Sequence, residues 1–229
     1  EGNGPIALKL WITPPAYTGL APVFIDLPAV PVAGQPHTLG VPAGSKALVV
    51  VTGAGRGLGR GIALALAAAG AEVLLNSRSP AELDAAAGEI AAAGGRARAL
   101  PFDVTDTAAM RRAFAEIARD PGRLDILVNN AGVNRPQPFL EVDEETLDRL
   151  IDLNIRALFL TAQEAARLMT QGQGGVIINM SSQMGHVGSE RNRTVYVMTK
   201  HAVEGLTKAM AVELAPHGVR VVSIAPTFI

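Results

Sequence analysis

From Ser45 onward, the hydrophobic positions of this chain fall into alternating short and long stretches. The short stretches are continuous apolar runs rich in branched side chains, which is typical of buried parallel strands. The long stretches repeat their apolar positions every three or four residues and therefore predict helices. The predicted strands are 46–52, 71–76, 97–102, 124–129, 175–181 and 219–225. The predicted helices are 58–69, 80–93, 106–118, 143–170 and 195–215.

This alternation indicates the fold class and the domain organisation. Repeated strand–helix–strand units place the strands in one parallel sheet with helices on both faces. We therefore predict an α/β protein with a Rossmann-like three-layer, doubly wound parallel sheet over residues 45–229. Residues 1–44 hold eight of the fifteen prolines, a density that excludes long helices and central strands. We interpret them as a Pro-rich N-terminal extension or a fused segment.

Composition narrows the class of protein. The 229 residues are 48% hydrophobic, which is enough for a sizeable core, and the net charge of −1 comes without a basic patch. That balance argues against nucleic acid as a partner. The absence of cysteine excludes disulfides and thiolate metal sites, and no histidine has metal-ligand spacing with a carboxylate pair. We therefore expect no metal. With no apolar run of membrane-spanning length and no secretory leader, we expect a cytoplasmic protein.

The stretch KALVVVTGAGRGLG contains the clearest binding signal. An apolar strand ends at Thr52, and Gly53, Gly57 and Gly59 follow before the next predicted helix. Strand, glycine turn and helix form the layout of a dinucleotide site, where the helix N-terminus offers N–H groups to a pyrophosphate. The spacing is GxxxGxG rather than GxGxxG. A glycine-rich turn in an ordinary βα unit is the alternative.

The end of the second predicted strand indicates the type of cofactor. An acid there favours NAD, but this chain has Asn76, Ser77 and Arg78. An arginine fork suits the 2′-phosphate of NADP, and Arg56 in the glycine turn offers a second charge. We predict NADP(H), with NAD as the alternative. An exposed loop arginine is the other interpretation of Arg78.

The next two strands end in further candidate residues. Asp103 and Val104 follow the third strand, where a carboxylate can accept a hydrogen bond from the adenine amine. Asp103 can equally be a neighbour of the helix predicted from Asp106. The fourth strand ends in Asn130, Ala131 and Gly132, small and amide residues that allow close backbone approach and also form ordinary turns.

Taken together, six motifs resemble those of the classical short-chain dehydrogenase/reductase family over about residues 45–229. They are TGAGRGLG, NNAG, LNIRALF, INMSSQMG, YVMTK and the terminal APTFI. The resemblance implies a catalytic set of Asn154, Ser182, Tyr196 and Lys200. With the readings above, it predicts cofactor contacts from Gly53, Arg56, Gly57, Leu58, Gly59, Ser77, Arg78, Asp103, Val104, Asn130, Ala131, Gly132, Tyr196, Lys200, Pro226 and Ile229.

These residue types suit hydride-transfer chemistry. Tyr196 and Lys200 are four apart on a predicted helix and share a face. We expect the ammonium to lower the tyrosine pKa from about 10, so that the phenol serves as acid and base. Ser182 would stabilise charge on the substrate oxygen. The resemblance further implies that Asn154 holds a water that relays protons to Lys200.

The resemblance also carries expectations about substrate and partners. The substrate is expected to be a small carbonyl or secondary alcohol of sugar-acid, polyol or 3-oxoacyl type. Apolar residues on helices 143–170 and 195–215 suggest a homodimer or homotetramer. The polar segment 185–194 either lines the substrate mouth or is an exposed loop.

The sequence departs from the family pattern at three places. Leu58 stands where isoleucine is usual, and Thr227 stands where the family has glycine. The chain ends at Ile229, before the family's usual substrate loop and last strand. We therefore expect a C-terminally truncated domain. A cofactor-binding chain without turnover is the alternative to an active oxidoreductase.

Overall fold

The structure is a computed structural model that describes residues 9–12, 23–26, 47–188 and 191–227. The strands are β1 (Lys9–Ile12), β2 (Val23–Asp26), β3 (Leu48–Thr52), β4 (Glu72–Asn76), β5 (Arg96–Ala99), β6 (Ile126–Asn129), β7 (Gly175–Met180) and β8 (Val219–Ile224). The helices are α1 (Gly57–Ala68), α2 (Pro80–Ala92), α3 (Thr107–Arg119), α4 (Glu144–Ile151), α5 (Leu158–Gln171) and α6 (Thr194–Leu214).

Strands β3 to β8 form one parallel sheet in the order β5-β4-β3-β6-β7-β8. The order reverses at β3, which pairs with β4 on one side and with β6 on the other. Sheets of this kind bind ligands in the crevice at such a reversal, outside the carboxyl ends of the strands. The predicted Rossmann-like α/β fold is confirmed.

The two N-terminal strands form a separate antiparallel pair. Lys9 lies opposite Asp26 in their register, and β1 lies beside β8 at the edge of the large sheet. The domain boundary that we predicted between residues 44 and 45 falls outside the described residues and stays a prediction.

Strand β5 is shorter than its apolar pattern predicts. It ends at Ala99 rather than at residue 102. Beyond it, the buried side-chain amide of Asn76 donates to the carbonyl oxygens of Leu100 and Phe102, at 3.1 and 3.0 Å. These side-chain bonds replace a regular ladder, so the chain turns away at the carboxyl end of β4.

The prediction of one α-helix over 143–170 is wrong. The segment contains α4, a π-helical turn at Asp152–Ala157, and α5. The turn carries Asn154, whose side-chain oxygen accepts from the Val133 N–H and whose amide donates to the Val133 carbonyl oxygen. A π-turn inserts one extra residue into a helix and is frequent at functional sites.

The sheet separates two hydrophobic cores. Alternate residues of β3 face opposite sides, since Leu48 and Val50 belong to one core and Val49 and Val51 to the other. Helices α3 and α5 cover the first core, whereas α1 and α2 cover the second. In the part of the chain that the structure describes, no helix is long and apolar enough to cross a membrane.

Candidate active site

The glycine turn leaves the N-terminus of α1 open. Gly53 and Gly57 have φ values of +66° and +55°, the left-handed region that favours glycine. The N-cap residue, Arg56, makes no side-chain hydrogen bond to the helix. The first N–H groups of α1 therefore have no side-chain cap, and such groups are the donors that bind phosphate.

The NNAG segment after β6 holds this turn in place. The Asn130 side-chain amide donates to the Thr52 carbonyl oxygen at 2.9 Å. The Thr52 hydroxyl oxygen in turn accepts from the backbone N–H groups of Asn130 and Ala131, at 2.9 and 3.0 Å. Sequence analysis did not select Thr52, although its position as the last strand residue before the first glycine was visible.

The predicted adenosine-end residues lie together after β4 and β5. The Arg78 guanidinium is 3.7 Å from the Asp103 carboxylate, and its side chain is 72% exposed. Asp103 also accepts hydrogen bonds from the N–H and hydroxyl groups of Thr105. The Ser77 hydroxyl bonds the backbone of the next turn. The Val104 side chain is buried in the core, so only its backbone is available to a ligand.

A cavity of about 220 Å³ lies at the carboxyl ends of β3, β6, β7 and β8. Its walls come from the glycine turn, the NNAG segment, the end of β7, the start of α6 and the segment after β8. The lining residues are Leu58, Asn130, Gly132, Val133, Asn134, Met180, Ser181, Ser182, Tyr196, Lys200, Pro226 and Thr227. The cavity thus brings three of the four predicted catalytic residues together with predicted cofactor contacts. Ile229 lies outside the described residues.

Ser182 and Tyr196 meet at this cavity from different elements. Ser182 begins a 3-10 turn, Gln183–Gly185, and its hydroxyl oxygen accepts from the Met184 N–H at 3.2 Å. Tyr196 lies in the first turn of α6. Burial raises the pKa of Tyr196, while its hydrogen bond to Ser182 and the nearby Arg193 guanidinium act in the opposite direction.

Lys200 lies one helical turn beyond Tyr196 and is buried. Its ammonium donates to the Met180 carbonyl oxygen at 2.7 Å and lies 5.5 Å from the centre of the Tyr196 ring. Burial lowers the pKa of Lys200 to about 8, against the opposing influence of the Glu204 carboxylate. A group with this pKa is still mainly charged at neutral pH.

The expectation that Lys200 lowers the Tyr196 pKa is wrong for this structure. The pKa of Tyr196 is raised, because burial disfavours the phenolate. The ammonium is directed to the Met180 carbonyl oxygen and faces the ring. Lys200 therefore lies beside the phenol without lowering its pKa below the ordinary value.

Asn154 contacts a residue that lines the cavity. Its amide donates to the Thr199 hydroxyl at 3.2 Å as well as to Val133, which lines the cavity. A Cβ at Gly132 would lie 3.2 Å from the Asn154 oxygen and 3.9 Å from the Lys200 nitrogen. Asn154 and Lys200 therefore approach the same glycine. The role of Asn154 in a water relay stays a prediction.

The chain is similar to known proteins over most of its length, and the comparison gives its class. The profile of the short chain dehydrogenase family matches residues 47–229. The chain therefore belongs to the short-chain dehydrogenase/reductases, which are nicotinamide-dependent oxidoreductases acting on small molecules.

Two relatives of known name are about 40% identical to this chain. Gluconate 5-dehydrogenase of Gluconobacter oxydans is 41% identical over 189 residues, which are 81% of this chain and 72% of the relative. L-xylulose reductase of Bos taurus is 44% identical over 188 residues, 82% of this chain and 72% of the relative. The crystal structure of a gluconate 5-dehydrogenase from Burkholderia cenocepacia in complex with NADP and tartrate has a TM-score of 0.76. It is 34% identical and covers 80% of this chain and 71% of that chain.

Proposed function

We propose that the protein interconverts a carbonyl compound and a secondary alcohol of sugar-acid or polyol type, with NADP(H) as cofactor. The observation that carries the proposal is the shared cavity, which Ser182, Tyr196 and Lys200 line together with Leu58 and Gly132. Groups for proton transfer and for cofactor binding therefore face one space.

The residues of the glycine turn fit a dinucleotide. A Cβ at Gly59 would lie 2.3 Å from the Gly53 carbonyl oxygen, so only glycine permits the close approach of α1 to the turn. The uncapped N-terminus of α1 offers donors for a pyrophosphate. When bound, the nicotinamide supplies or accepts the hydride.

The side chains that line the cavity donate and accept the proton of the reaction. In the reductive direction, the Tyr196 hydroxyl donates its proton to the carbonyl oxygen of the substrate. The Ser182 hydroxyl donates a hydrogen bond to the same oxygen and stabilises its developing negative charge. The raised pKa of Tyr196 favours the protonated phenol, which is the form that this direction requires. Lys200 keeps a positive charge beside the phenol ring.

The preference for NADP(H) rests on Arg78. The neighbouring position Asn76 is buried and bonded to the chain after β5, so no acid stands at the end of β4 to bind a ribose hydroxyl. The ion pair of Arg78 with Asp103 is exposed and long, and such pairs are weak. The guanidinium is thus available to a 2′-phosphate.

Arg78→Gln is expected to raise the KM for NADPH by roughly tenfold, because it removes a charge-assisted phosphate contact. The KM for NADH should stay unchanged, which steady-state assays with both cofactors would measure. Arg98→Gln serves as the matched control, since Arg98 pairs with Glu72 at the start of β4. Equal affinity of the unaltered protein for NADPH and NADH would contradict the proposed preference.

The substrate class is supported by the relatives. Two of them are named gluconate 5-dehydrogenase and a third L-xylulose reductase, which indicates keto-sugar acids and ketoses as the first compounds to assay. NADPH oxidation should be measured with both kinds of compound and with 3-oxoacyl thioesters. Binding of NADPH without turnover of any of them would favour the alternative of a cofactor-binding chain without activity.

We also propose that the protein forms a homodimer or homotetramer through α5 and α6. Leu158 on α5 and Val203 on α6 are buried in the fold. Phe159 on α5 and Val212 on α6 remain 46% and 49% exposed. Light scattering at micromolar concentration should give at least twice the monomer mass. A monomeric mass would refute the proposed self-association.

A further inference from the structure

Arg193 is a cationic residue, three positions before Tyr196, that the proposed chemistry does not use. It immediately precedes α6, and its carbonyl oxygen accepts from the Val197 N–H at 2.9 Å. The residue is partly buried, whereas Arg191 in the same segment is exposed. The Arg193 guanidinium therefore belongs to the same helical turn as the proposed proton donor.

The backbone before Arg193 is bonded to a segment that lines the cavity. The Asn192 carbonyl oxygen accepts from the Gln137 N–H at 2.9 Å. Gln137 follows closely on Val133 and Asn134, which are both lining residues of the cavity. Asn192 has a φ of +69°, in the left-handed region that asparagine adopts more readily than most residues. The chain thus turns beside this segment, and Arg193 starts from a defined position there.

The side chain of Arg193 extends to the 3-10 turn that follows Ser182. Its Nη1 lies 4.0 Å from Sδ of Met184, which is buried in that turn. The Met184 N–H in turn donates to the Ser182 hydroxyl oxygen at 3.2 Å. The guanidinium therefore lies between the start of α6 and the Ser182 turn, the two elements that supply the proposed catalytic hydroxyl groups.

Electrostatics agrees with this placement. Burial raises the pKa of Tyr196, and the Arg193 guanidinium is among the groups that act in the opposite direction. Lys200, a second cation at the site, donates to the Met180 carbonyl oxygen. Arg193 thus adds positive charge close to the reacting hydroxyl, from the side of the Ser182 turn.

The Arg193 guanidinium has donors to spare. A guanidinium carries five N–H donors, and a thioether sulfur is only a weak acceptor. Among the residues that the structure describes, no carboxylate forms an ion pair with Arg193, whereas Arg135, next to Asn134, is paired with Glu145. A partly buried charge without a partner is costly. An anionic group of the substrate is a suitable partner for it.

We propose that Arg193 binds a carboxylate of the substrate, so that the protein acts on sugar acids in preference to uncharged polyols. The inference rests on the proposed function and narrows its substrate class. An arginine fork can bind a carboxylate through two parallel hydrogen bonds, which fix orientation as well as add affinity. The contact orients the sugar acid toward the hydroxyl groups of Ser182 and Tyr196.

Two compounds that have nearly the same shape and differ in charge test the proposal. They are a six-carbon aldonic acid and its primary amide, each oxidised with NADP by the unaltered protein and by Arg193→Gln. The unaltered protein should show a kcat/KM at least roughly tenfold higher for the acid, because hydrogen bonds between charged groups are stronger than neutral ones. Arg193→Gln should lose this preference, mainly through a raised KM for the acid.

The ratio of the two kcat/KM values separates carboxylate binding from a general effect on Tyr196. Loss of the Arg193 charge also acts on the pKa of Tyr196, but that change applies to both compounds and cancels in the ratio. Arg191→Gln is the matched control, because it removes an exposed arginine from the same segment and should leave the ratio unchanged. Equal use of acid and amide by the unaltered protein would overturn the proposal, as would an acid preference that survives in Arg193→Gln.

Arg193→Lys provides a second variant should Arg193→Gln not fold. Lysine keeps the charge but lacks the planar fork, so the acid preference should fall without disappearing. An unchanged ratio in Arg193→Lys would then count against the proposal.

Binding measurements separate this inference from the function on which it rests. Absence of turnover with both compounds in the unaltered protein would count against the proposed function. Isothermal titration of the acid into protein saturated with NADPH still tests Arg193, because an alcohol and a reduced cofactor do not react. The acid should bind the unaltered protein at least roughly tenfold more tightly than Arg193→Gln. Equal binding to both proteins, or no binding to either, would refute the proposal.

Discussion

Replacing Tyr196 by phenylalanine is expected to lower turnover by roughly two to four orders of magnitude while NADPH binding stays nearly unchanged. The substitution removes only the hydroxyl, which is the proposed proton donor to the substrate oxygen. General acid catalysis by a positioned side chain contributes roughly 10²–10⁴-fold, so a rate loss of that size is expected. Burial raises the pKa of Tyr196, so the side chain is a neutral phenol at neutral pH. The substitution therefore removes no charge that could contribute to NADPH binding. Steady-state NADPH oxidation measures the rate, and NADPH fluorescence titration measures the binding.

Lys200→Ala provides the comparison for this variant. The Lys200 ammonium lies over the Tyr196 ring, and Lys200 is a predicted cofactor contact at the same cavity, so its loss should lower both the rate and NADPH affinity. Tyr196→Phe should affect the rate alone. Turnover of Tyr196→Phe close to that of the unaltered protein would rule out the proposed mechanism, provided that both proteins unfold at the same temperature.

The fold was predictable because each element is specified locally. Apolar runs and helical periodicity located the six parallel strands and their helices, since a strand buried on both faces needs a continuous apolar sequence. The errors occur where a side chain from a distant segment decides the backbone. Asn76 ends β5 early, and the contact between Asn154 and Val133 accompanies the π-turn between α4 and α5. Neither contact has a period or spacing that a sequence reveals.

At the candidate site too, local patterns were predictable from the sequence and contacts between distant segments were not. Glycine spacing and the Tyr196–Lys200 pair are local patterns, and Leu58 from the glycine turn lines the same cavity as Tyr196 and Lys200. The partners of Asn154 are not local, since Val133 is twenty-one residues away and Thr199 lies on a different element. The pKa of Tyr196 also depends on burial, which spacing cannot convey. Sequence therefore indicated which residues meet, whereas their protonation depends on surroundings that only the folded chain defines.

Gly59→Ala is expected to destabilise the protein and to impair cofactor binding. The added Cβ would lie 2.3 Å from the Gly53 carbonyl oxygen and 2.4 Å from the Asn130 amide nitrogen. Those two atoms form part of the contact that holds the glycine turn, so the methyl group would separate them. Overpacking of this kind costs about 1–3 kcal/mol of unfolding free energy. NADPH affinity should fall at least roughly tenfold, because the displaced turn no longer presents the N-terminus of α1.

Gly61→Ala is the matched control in the same helix, and its expected effect has the opposite sign. A Cβ at Gly61 would meet no atom within 4 Å. Alanine is favoured over glycine inside a helix, so the variant should gain about 0.5–1 kcal/mol. Urea unfolding and NADPH titration of both variants test the pair. Similar stability and NADPH affinity of the two variants would show that α1 does not need the close approach at Gly59. That result would contradict the proposal that the glycine turn positions α1 to bind the pyrophosphate.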